Sequence, residues 1–336
     1  FAQVSISPCH IQILPSHQST SLRGMSVVND QVIWVSGSNG TVGRSTNGGE
    51  TWQWCVIKGF EKADFRSLVA FSDKKAVILN AGSPAHILIT ADGGATWKEV
   101  YTNTNKDIFF DGMAFWNDRR GIAVSDPLNG KFFFLQTKDG GRHWRPLPAK
   151  KMPAALPGEA CFAASNTILV ALQKKYAWLA SGGAVSHVFF SKDHGRKWKI
   201  YHSPILQGKS SAGIFSMAFR DRKNGIIAGG DYLADSIRIN NAFLTGDGGK
   251  SWQRPVVNPY GYRSCVAWCT DRLLIATGPS GTDISTDGGT TWKLLSKEGF
   301  NVVQKAKNAN AVYLAGADGK LAKLALPVNA EISTGF

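Results

Sequence analysis

Short apolar stretches of five to seven residues recur along the whole chain, separated by turns rich in Gly, Asp, Asn and Ser. In residues 65–101 the order is FRSLVAF, AVILNAG, HILIT and WKEVY, with a turn before the last stretch. Residues 111–137 repeat the order with DGMAFW, GIAVSD and KFFFLQT. Stretches of this length that are bounded by turn residues predict strands. The pattern therefore predicts an all-β protein made of repeated groups of four antiparallel strands.

One turn occurs six times as an octet, with Ser or Thr first, Asp or Asn third, Gly fifth and Trp eighth. The octets begin at Ser45, Thr90, Thr137, Ser191, Thr245 and Ser285. Asp-Gly and Asn-Gly pairs supply the positive φ angles of a tight hairpin, and their side-chain oxygens accept hydrogen bonds from N–H groups of the turn. The copy at 191–198 has His194 where the others have Gly, so it holds Ser, Asp and His together. Because the pattern recurs, we interpret all six octets as structural rather than catalytic.

The octets begin 40 to 54 residues apart, which fits one four-stranded propeller blade per repeat. After the sixth blade, VVQKAK, VYLAG and KLAKLAL supply three more strands. The segment HIQIL at 10–14 can provide the missing fourth strand and close the ring, which removes exposed edges. The sequence predicts one domain over 1–336, a seven-bladed β-propeller. Its seventh blade is shared between about 4–14 and 300–326 and lacks an octet.

Composition narrows the classes of partner. Lys and Arg outnumber Asp and Glu by 38 to 24, a net charge of +14, which favours anionic partners. No arginine-rich tail is present, so specific nucleic-acid binding is not expected. No apolar run approaches the roughly twenty residues of a membrane span. The start FAQVSIS, without Met, reads like the remainder of a cleaved export signal, so we expect a periplasmic or extracellular protein.

Cofactor chemistry has little support in the sequence. The five cysteines form no CxxC pair and no zinc-finger spacing, so neither a metal site nor a redox dithiol is expected. No GxGxxG lies between a strand and a helix, so no dinucleotide cofactor is expected and an oxidoreductase is disfavoured.

The starts of the predicted innermost strands, once aligned, place charged residues at one equivalent position. This charged column consists of Arg23, Arg66, Asp111, Glu159 and Arg263; in blade 5 the position falls on Ser216, depending on how the gap is placed. Unpaired charges near the channel are costly, so the column either forms a ring of salt bridges or binds a ligand. In a binding site, the arginines would grip a carboxylate bidentately. Further ligand-binding candidates in neighbouring loops are Asp126, Asp231, Tyr232, His86 and Tyr262.

The octet resembles the Asp-box, or BNR repeat, of sialidases and of several non-enzymatic propellers. The sialidase resemblance implies three arginines for the substrate carboxylate, a tyrosine nucleophile with a glutamate, and an aspartate acid/base. The residues that this chain could offer for those roles are Arg23, Arg66, Arg263, Tyr262 or Tyr232, Glu159 and Asp111. The early Phe-Arg-Ile-Pro motif of sialidases is absent, and sialidases have six blades. A sialidase-like glycoside hydrolase, or a glycan-binding protein, is the alternative interpretation.

A nearer resemblance is to the photosystem II stability/assembly factor family and its bacterial relatives. It is carried by LRGMSVVND at 22–30, VIWVSGSNGTVGRSTNGGETW at 32–52 and YRSCVAW at 262–268. The resemblance implies an exported, non-catalytic seven-bladed scaffold that binds proteins through an arginine-rich face. We therefore expect a monomer that has no cofactor and binds a protein or an acidic glycan or other carboxylate.

Overall fold

The computed structural model describes residues 9–325 and is almost entirely β-structure. Seven antiparallel sheets follow one another as the blades of a propeller, and the helical elements are two short 3-10 turns, Ala149–Lys151 and Ala317–Gly319. In the part of the chain described, no helix has the length and apolarity needed to cross a bilayer. All five cysteines are free thiols.

The first strand, β1, precedes blade 1 and spans His10–Leu14. Blades 1 to 3 each contain four consecutive strands. They are β2 (Leu22–Val27), β3 (Ile33–Gly37), β4 (Thr41–Ser45) and β5 (Gln53–Val56); β6 (Asp64–Ala70), β7 (Ala76–Ala81), β8 (Ala85–Thr90) and β9 (Lys98–Asn103); and β10 (Phe110–Phe115), β11 (Gly121–Leu128), β12 (Lys131–Thr137) and β13 (Arg145–Pro146).

Blades 4 and 5 are interleaved along the chain. The strands of this region are β14 (Glu159–Ala160), β15 (Leu169–Leu172), β16 (Tyr176–Ala180), β17 (Gly182–Gly183), β18 (His187–Ser191), β19 (Lys199–His202), β20 (Ala212–Phe219), β21 (Gly225–Asp231) and β22 (Ala242–Thr245). Blade 4 has the order β15-β16-β18-β19, and blade 5 has the order β14-β17-β20-β21-β22. A single bridge between Leu244 and Gln253 stands where the fourth strand of blade 5 was expected.

Blades 6 and 7 complete the ring. Their strands are β23 (Cys265–Trp268), β24 (Leu274–Gly278), β25 (Gly281–Ser285) and β26 (Lys293–Ser296), then β27 (Val302–Lys305), β28 (Val312–Ala315) and β29 (Leu321–Ala325). The closing strand β1 pairs antiparallel with β29, from His10 opposite Ala325 to Leu14 opposite Leu321. This pairing confirms the predicted closure; residues 4–8 and 326 of the predicted seventh blade lie outside the described residues.

Burial falls from the hub to the rim of each blade. The second strands β3 and β24 are buried at every position, whereas the fourth strands β5 and β19 contain no buried residue. A strand between two stacked blades is covered on both faces and can therefore be continuously apolar, because neither face meets water. The core consequently lies between blades.

Five octets form the turn between the third and fourth strands of their blades, as the sequence predicts, and the fifth octet leads from β22 to the single bridge at Gln253. In the sixth copy, Ser285 Oγ accepts a hydrogen bond from the amide of Gly289 at 2.8 Å, and Asp287 Oδ1 accepts one from the amide of Thr291 at 2.9 Å. His194 occupies the fourth position of its octet with a φ of 62°, where the other copies have a glycine with positive φ. Its ring packs edge-on against Trp116 at 5.1 Å. His194 is thus part of a turn.

Candidate functional site

The innermost strands of blades 1 to 3 each contain a β-bulge at the residue of the charged column. The strand register shifts at Arg23 in blade 1, at Arg66 in blade 2 and at Asp111 in blade 3. A bulge inserts an extra residue and redirects its side chain. The equivalent bulge in blade 5 contains Phe215, which corrects the alignment that put Ser216 in the column.

Glu159 is not a member of the column, because the innermost strand of blade 4 is β15 and not the segment around Glu159. Residues 161–167, the hub segment, instead cross the centre of the ring. Its hydrogen bonds reach five blades: Arg23 to Ala164 O, Asn166 to Leu68 O, Met113 N to Asn166 Oδ1, Thr167 to Ser216, and Ser165 to Ser264 O. The hub segment therefore forms a floor within the channel.

A cavity of about 380 Å³ lies above this floor. We call it the mouth pocket; the residues that line it and matter here are Arg23, Arg66, Phe162, Phe215, Tyr232 and Tyr262. The long connection after β21 contributes Tyr232. The structure thus brings together two of the three predicted arginines and both candidate tyrosines.

Both pocket arginines are half-buried, and of the two only Arg66 has an ion-pair partner among the described residues. Arg66 pairs with Asp64 through Nε at 2.7 Å, and its Nη1 contacts Ala163 O at 3.5 Å. Arg23 takes part in no ion pair within residues 9–325, and its Nη1 donates to Ala164 O at 3.3 Å. Burial, followed by the positive charge of Arg66, lowers the pKa of Arg23. A neighbouring anion would relieve this repulsion.

Four aromatic rings line the mouth pocket together with the arginines. Phe162 stacks on Phe215 with a centroid distance of 3.9 Å and an interplanar angle of 10°. Tyr262 meets Phe215 edge-on at 4.7 Å, and Tyr232 contacts both rings at longer range. Tyr232 is 49% exposed, whereas Phe215 and Tyr262 are buried. The pocket therefore combines positive charge with a rigid apolar wall.

Asp231 and Asp126 hold the loops of the pocket in place. Asp231 is buried, accepts a hydrogen bond from the Leu233 amide at 3.0 Å and lies 3.4 Å from Lys209 Nζ, so it fixes the loop that carries Tyr232. Asp126 Oδ1 accepts a hydrogen bond from the Cys161 amide at 2.7 Å and fastens the start of the hub segment. Burial raises the pKa of Asp126 to about 6.

Arg263 departs from the predicted arginine cluster. It is 1% exposed and pairs with the fully buried Asp283 at 2.7 Å. Its Nη1 also donates to Tyr262 O and to Ser280 Oγ. The guanidinium therefore ties blade 6 together, because a buried charge is retained only beside a partner.

Two other candidates are held in local networks. Glu159 is buried against His187, with 2.9 Å between Oε1 and Nδ1, and also accepts hydrogen bonds from Ser181 and from the Leu156 amide. His86 contacts Glu99 across β8 and β9 and packs edge-on against Phe60 at 5.0 Å. These contacts account for both side chains without a ligand.

Asp111 is the least satisfied of the candidates. It is fully buried, and neither carboxylate oxygen forms a hydrogen bond among the described residues; the backbone N–H of Asp126 donates to Phe109 O but is near enough to act on the pKa of Asp111. Burial, and then the negative charge of Asp126, raises the pKa of Asp111 well above its ordinary value. Ligand atoms of Asp111, Asp126 and Cys161 lie within 4.8 Å of one another.

The residues of the sialidase hypothesis are distributed over these separate environments. Glu159 pairs with His187, Asp111 lies beside Asp126, and burial raises the pKa of Tyr262. The tyrosine–glutamate pairing that such chemistry needs is not among the hydrogen bonds of the described residues.

Sequence reasoning missed Phe162, Phe215 and the hub segment. A bulge cannot be located from an apolar pattern alone, because one extra residue only shifts the alternation. The proline-rich stretch before residue 160 is the available signal that the chain leaves the regular blade pattern there.

Comparison with known proteins agrees with this architecture. The BNR/Asp-box repeat model matches residues 283–294, which include the sixth octet. The photosystem II assembly lipoprotein Ycf48 of Synechococcus sp. (strain CC9902) is 25% identical over 267 residues, covering 77% of this chain and 71% of that protein.

Solved structures show the same fold. YCF48 bound to D1 peptide superposes with a TM-score of 0.67 at 16% identity, over 96% of this chain and 98% of that chain. YCF48 from Cyanidioschyzon merolae gives 0.65 at 18% identity, over 94% and 98%. The predicted resemblance to Asp-box propellers and to the assembly factors is confirmed.

Proposed function

We propose that this Asp-box propeller is a non-catalytic scaffold that binds a protein partner through the mouth pocket. The ligand would be an extended segment with a carboxylate, from an acidic side chain or a chain end, next to an apolar side chain. Arg23 and Arg66 would grip the carboxylate, and the apolar side chain would pack on Phe162, Phe215 and Tyr232. A rigid ring loses little conformational entropy when such a segment docks.

The observation that carries the proposal is Arg23. Arg23 is a half-buried guanidinium without an ion-pair partner of its own, and the nearby Asp64, which pairs with Arg66, offsets only part of the effect of burial and of the second arginine. The aromatic wall adds the other half of a peptide site, since rigid aromatic rings are common binding hot spots.

Two comparisons support a protein as the partner. The similar Ycf48 is named as an assembly lipoprotein, and the YCF48 structure with the same fold is described as bound to a D1 peptide.

The test uses fluorescent decapeptides that end in Asp or Glu beside Phe or Leu, with the same peptides as Asn, Gln or C-terminal amides. Fluorescence anisotropy should show binding of the carboxylate forms only. Arg23→Ala combined with Arg66→Ala should weaken binding at least about tenfold, since a hydrogen bond to a charged group contributes roughly 1.5–3 kcal/mol.

A matched control removes two exposed arginines elsewhere, Arg142→Ala with Arg272→Ala, and should retain nearly the wild-type affinity. Equal weakening in both double variants would mean that net charge, rather than the pocket, binds the peptide. Unchanged affinity in the Arg23/Arg66 variant would reject the site.

The glycan alternative has a direct assay. A fluorogenic sialoside and other acidic glycosides should not be turned over, because Glu159, Asp111 and Tyr262 lie in separate environments. If the protein turned over a glycoside and Glu159→Gln abolished that turnover, the protein would be a glycosidase and our proposal would be wrong.

A further inference from the structure

The cluster of Asp111, Asp126 and Cys161 lies beside the mouth pocket and is not explained by peptide binding. Asp111 is fully buried and both of its oxygens are without partners, which is rare for a carboxylate because leaving it unpaired is costly. Asp126 Oδ1 accepts a hydrogen bond from the Cys161 amide, and the Cys161 thiol contacts Ala180 O at 3.5 Å. Two carboxylates and a thiol therefore converge without mutual hydrogen bonds.

We propose that Asp111, Asp126 and Cys161 bind one Zn²⁺ ion. One ligand atom from each residue lies within 4.8 Å of the others, and small side-chain rotations would bring them to the roughly 3.3–3.6 Å separations that follow from the Zn–O and Zn–S distances of tetrahedral sites. A thiolate with two carboxylates is a mixed donor set. It suits a borderline ion such as Zn²⁺ better than Mg²⁺ or Ca²⁺, which prefer oxygen ligands.

The charges of the surroundings agree with a divalent cation. Two carboxylates and a thiolate carry three negative charges when deprotonated, and Zn²⁺ would neutralise two of them. Arg66 already pairs with Asp64 and adds only a longer-range attraction. Arg66 is close enough to act electrostatically on Asp111. Cys161 also lines the mouth pocket, which gives the ion an entry path and leaves a fourth coordination position for water.

The ion would have a structural consequence for the pocket. Cys161 and Asp126 join the start of the hub segment to blade 3, and the next residues of that segment contact Arg66 and Arg23. Zinc would therefore brace the floor of the mouth pocket.

The experiment titrates Zn²⁺ into chelator-treated, reduced full-length protein in competition with a chromophoric chelator. It is repeated with Cd²⁺, whose bond to a thiolate gives an ultraviolet charge-transfer band. We expect one ion per chain, a thiolate band, and binding at least about tenfold weaker in Asp111→Asn and Cys161→Ser. Asp111→Asn removes a buried charge without changing shape, so this variant should fold.

The control variant combines Cys9→Ser with Cys55→Ser, which removes the two partly exposed thiols and leaves the cluster intact. It should bind one ion as tightly as the wild type. Three results would overturn the proposal: no binding at all, equal binding in Asp111→Asn and wild type, or binding lost only in the Cys9/Cys55 variant. A Cd²⁺–thiolate band that persists in Cys161→Ser would also reject the assigned ligand set, because the band would then come from another cysteine.

Discussion

At the scale of single residues, equivalent positions in a repeat protein have different roles. Arg23 and Arg263 were aligned in one column, yet Arg23 is half-buried at the pocket and Arg263 is buried against Asp283. The difference comes from the neighbour that each blade supplies, since Asp283 lies on the third strand of the same blade as Arg263. The repeat predicts the backbone position of a residue, whereas the contacts of its side chain determine its role.

Arg263→Ala should lower the free energy of unfolding by about 3–5 kcal/mol, because Asp283 would be left buried and unpaired. Arg23→Ala should cost less than about 1 kcal/mol, since it breaks no ion pair. Urea unfolding of both variants measures the contrast. Combining Arg263→Met with Asp283→Asn should recover part of the stability lost in Arg263→Ala. Similar losses in Arg263→Ala and Arg23→Ala would contradict this interpretation of Arg263.

The octets allow backbone strain to be measured in isolation. Gly288 has a φ of 77° and open space where a Cβ would lie, so Gly288→Ala should destabilise by about 1–2 kcal/mol through conformation alone. Gly246, two residues ahead of the equivalent glycine in the fifth octet, also has open space but lacks a positive φ. Thermal unfolding of Gly246→Ala should show little change or slight stabilisation. Comparable losses at the two sites would refute the turn-strain explanation.

At the scale of elements, the strand order of most blades was predictable and that of blades 4 and 5 was not. The alternation of strands and turns identified each innermost strand in blades 1 to 3, because those strands are continuous in sequence. In blade 5 the antiparallel pair of β14 and β17 comes from residues that precede or interrupt blade 4. Pairing between such distant short strands leaves no periodic signal, since each is two residues long.

The closing strand β1 gives an element-scale prediction. Leu14 packs on the core cluster of blade 7, whereas Ile13 on the same strand is 55% exposed. Leu14→Ala should therefore lower the free energy of unfolding by about 1–2 kcal/mol, and Ile13→Ala should change it little. Chemical denaturation monitored by tryptophan fluorescence measures both. Equal losses of unfolding free energy in the two variants would mean that ring closure does not depend on the packing of Leu14.

At the scale of the whole molecule, the charge of +14 should act on the rate of association. Attraction over long range speeds encounter with an acidic peptide and is screened by salt. We expect the association rate constant to fall roughly tenfold between low salt and about 0.5 M, measured by stopped-flow fluorescence. The dissociation rate constant should instead respond to Arg23→Ala with Arg66→Ala. A salt-independent association rate would contradict electrostatic steering. Export and a monomeric state stay predictions.

The sequence by itself determined the all-β class, the seven blades, the octet turns and the closure through 10–14. These features follow from local turn chemistry and from a period that the chain repeats. The tertiary structure decided which groups the charged side chains contact. Arg23 donates to the carbonyl of Ala164, 141 residues away, and Asp126 accepts from the amide of Cys161, 35 residues away. Such contacts depend on bulges and on a hub segment that breaks the period, and a regular pattern cannot encode the partner of an irregular residue.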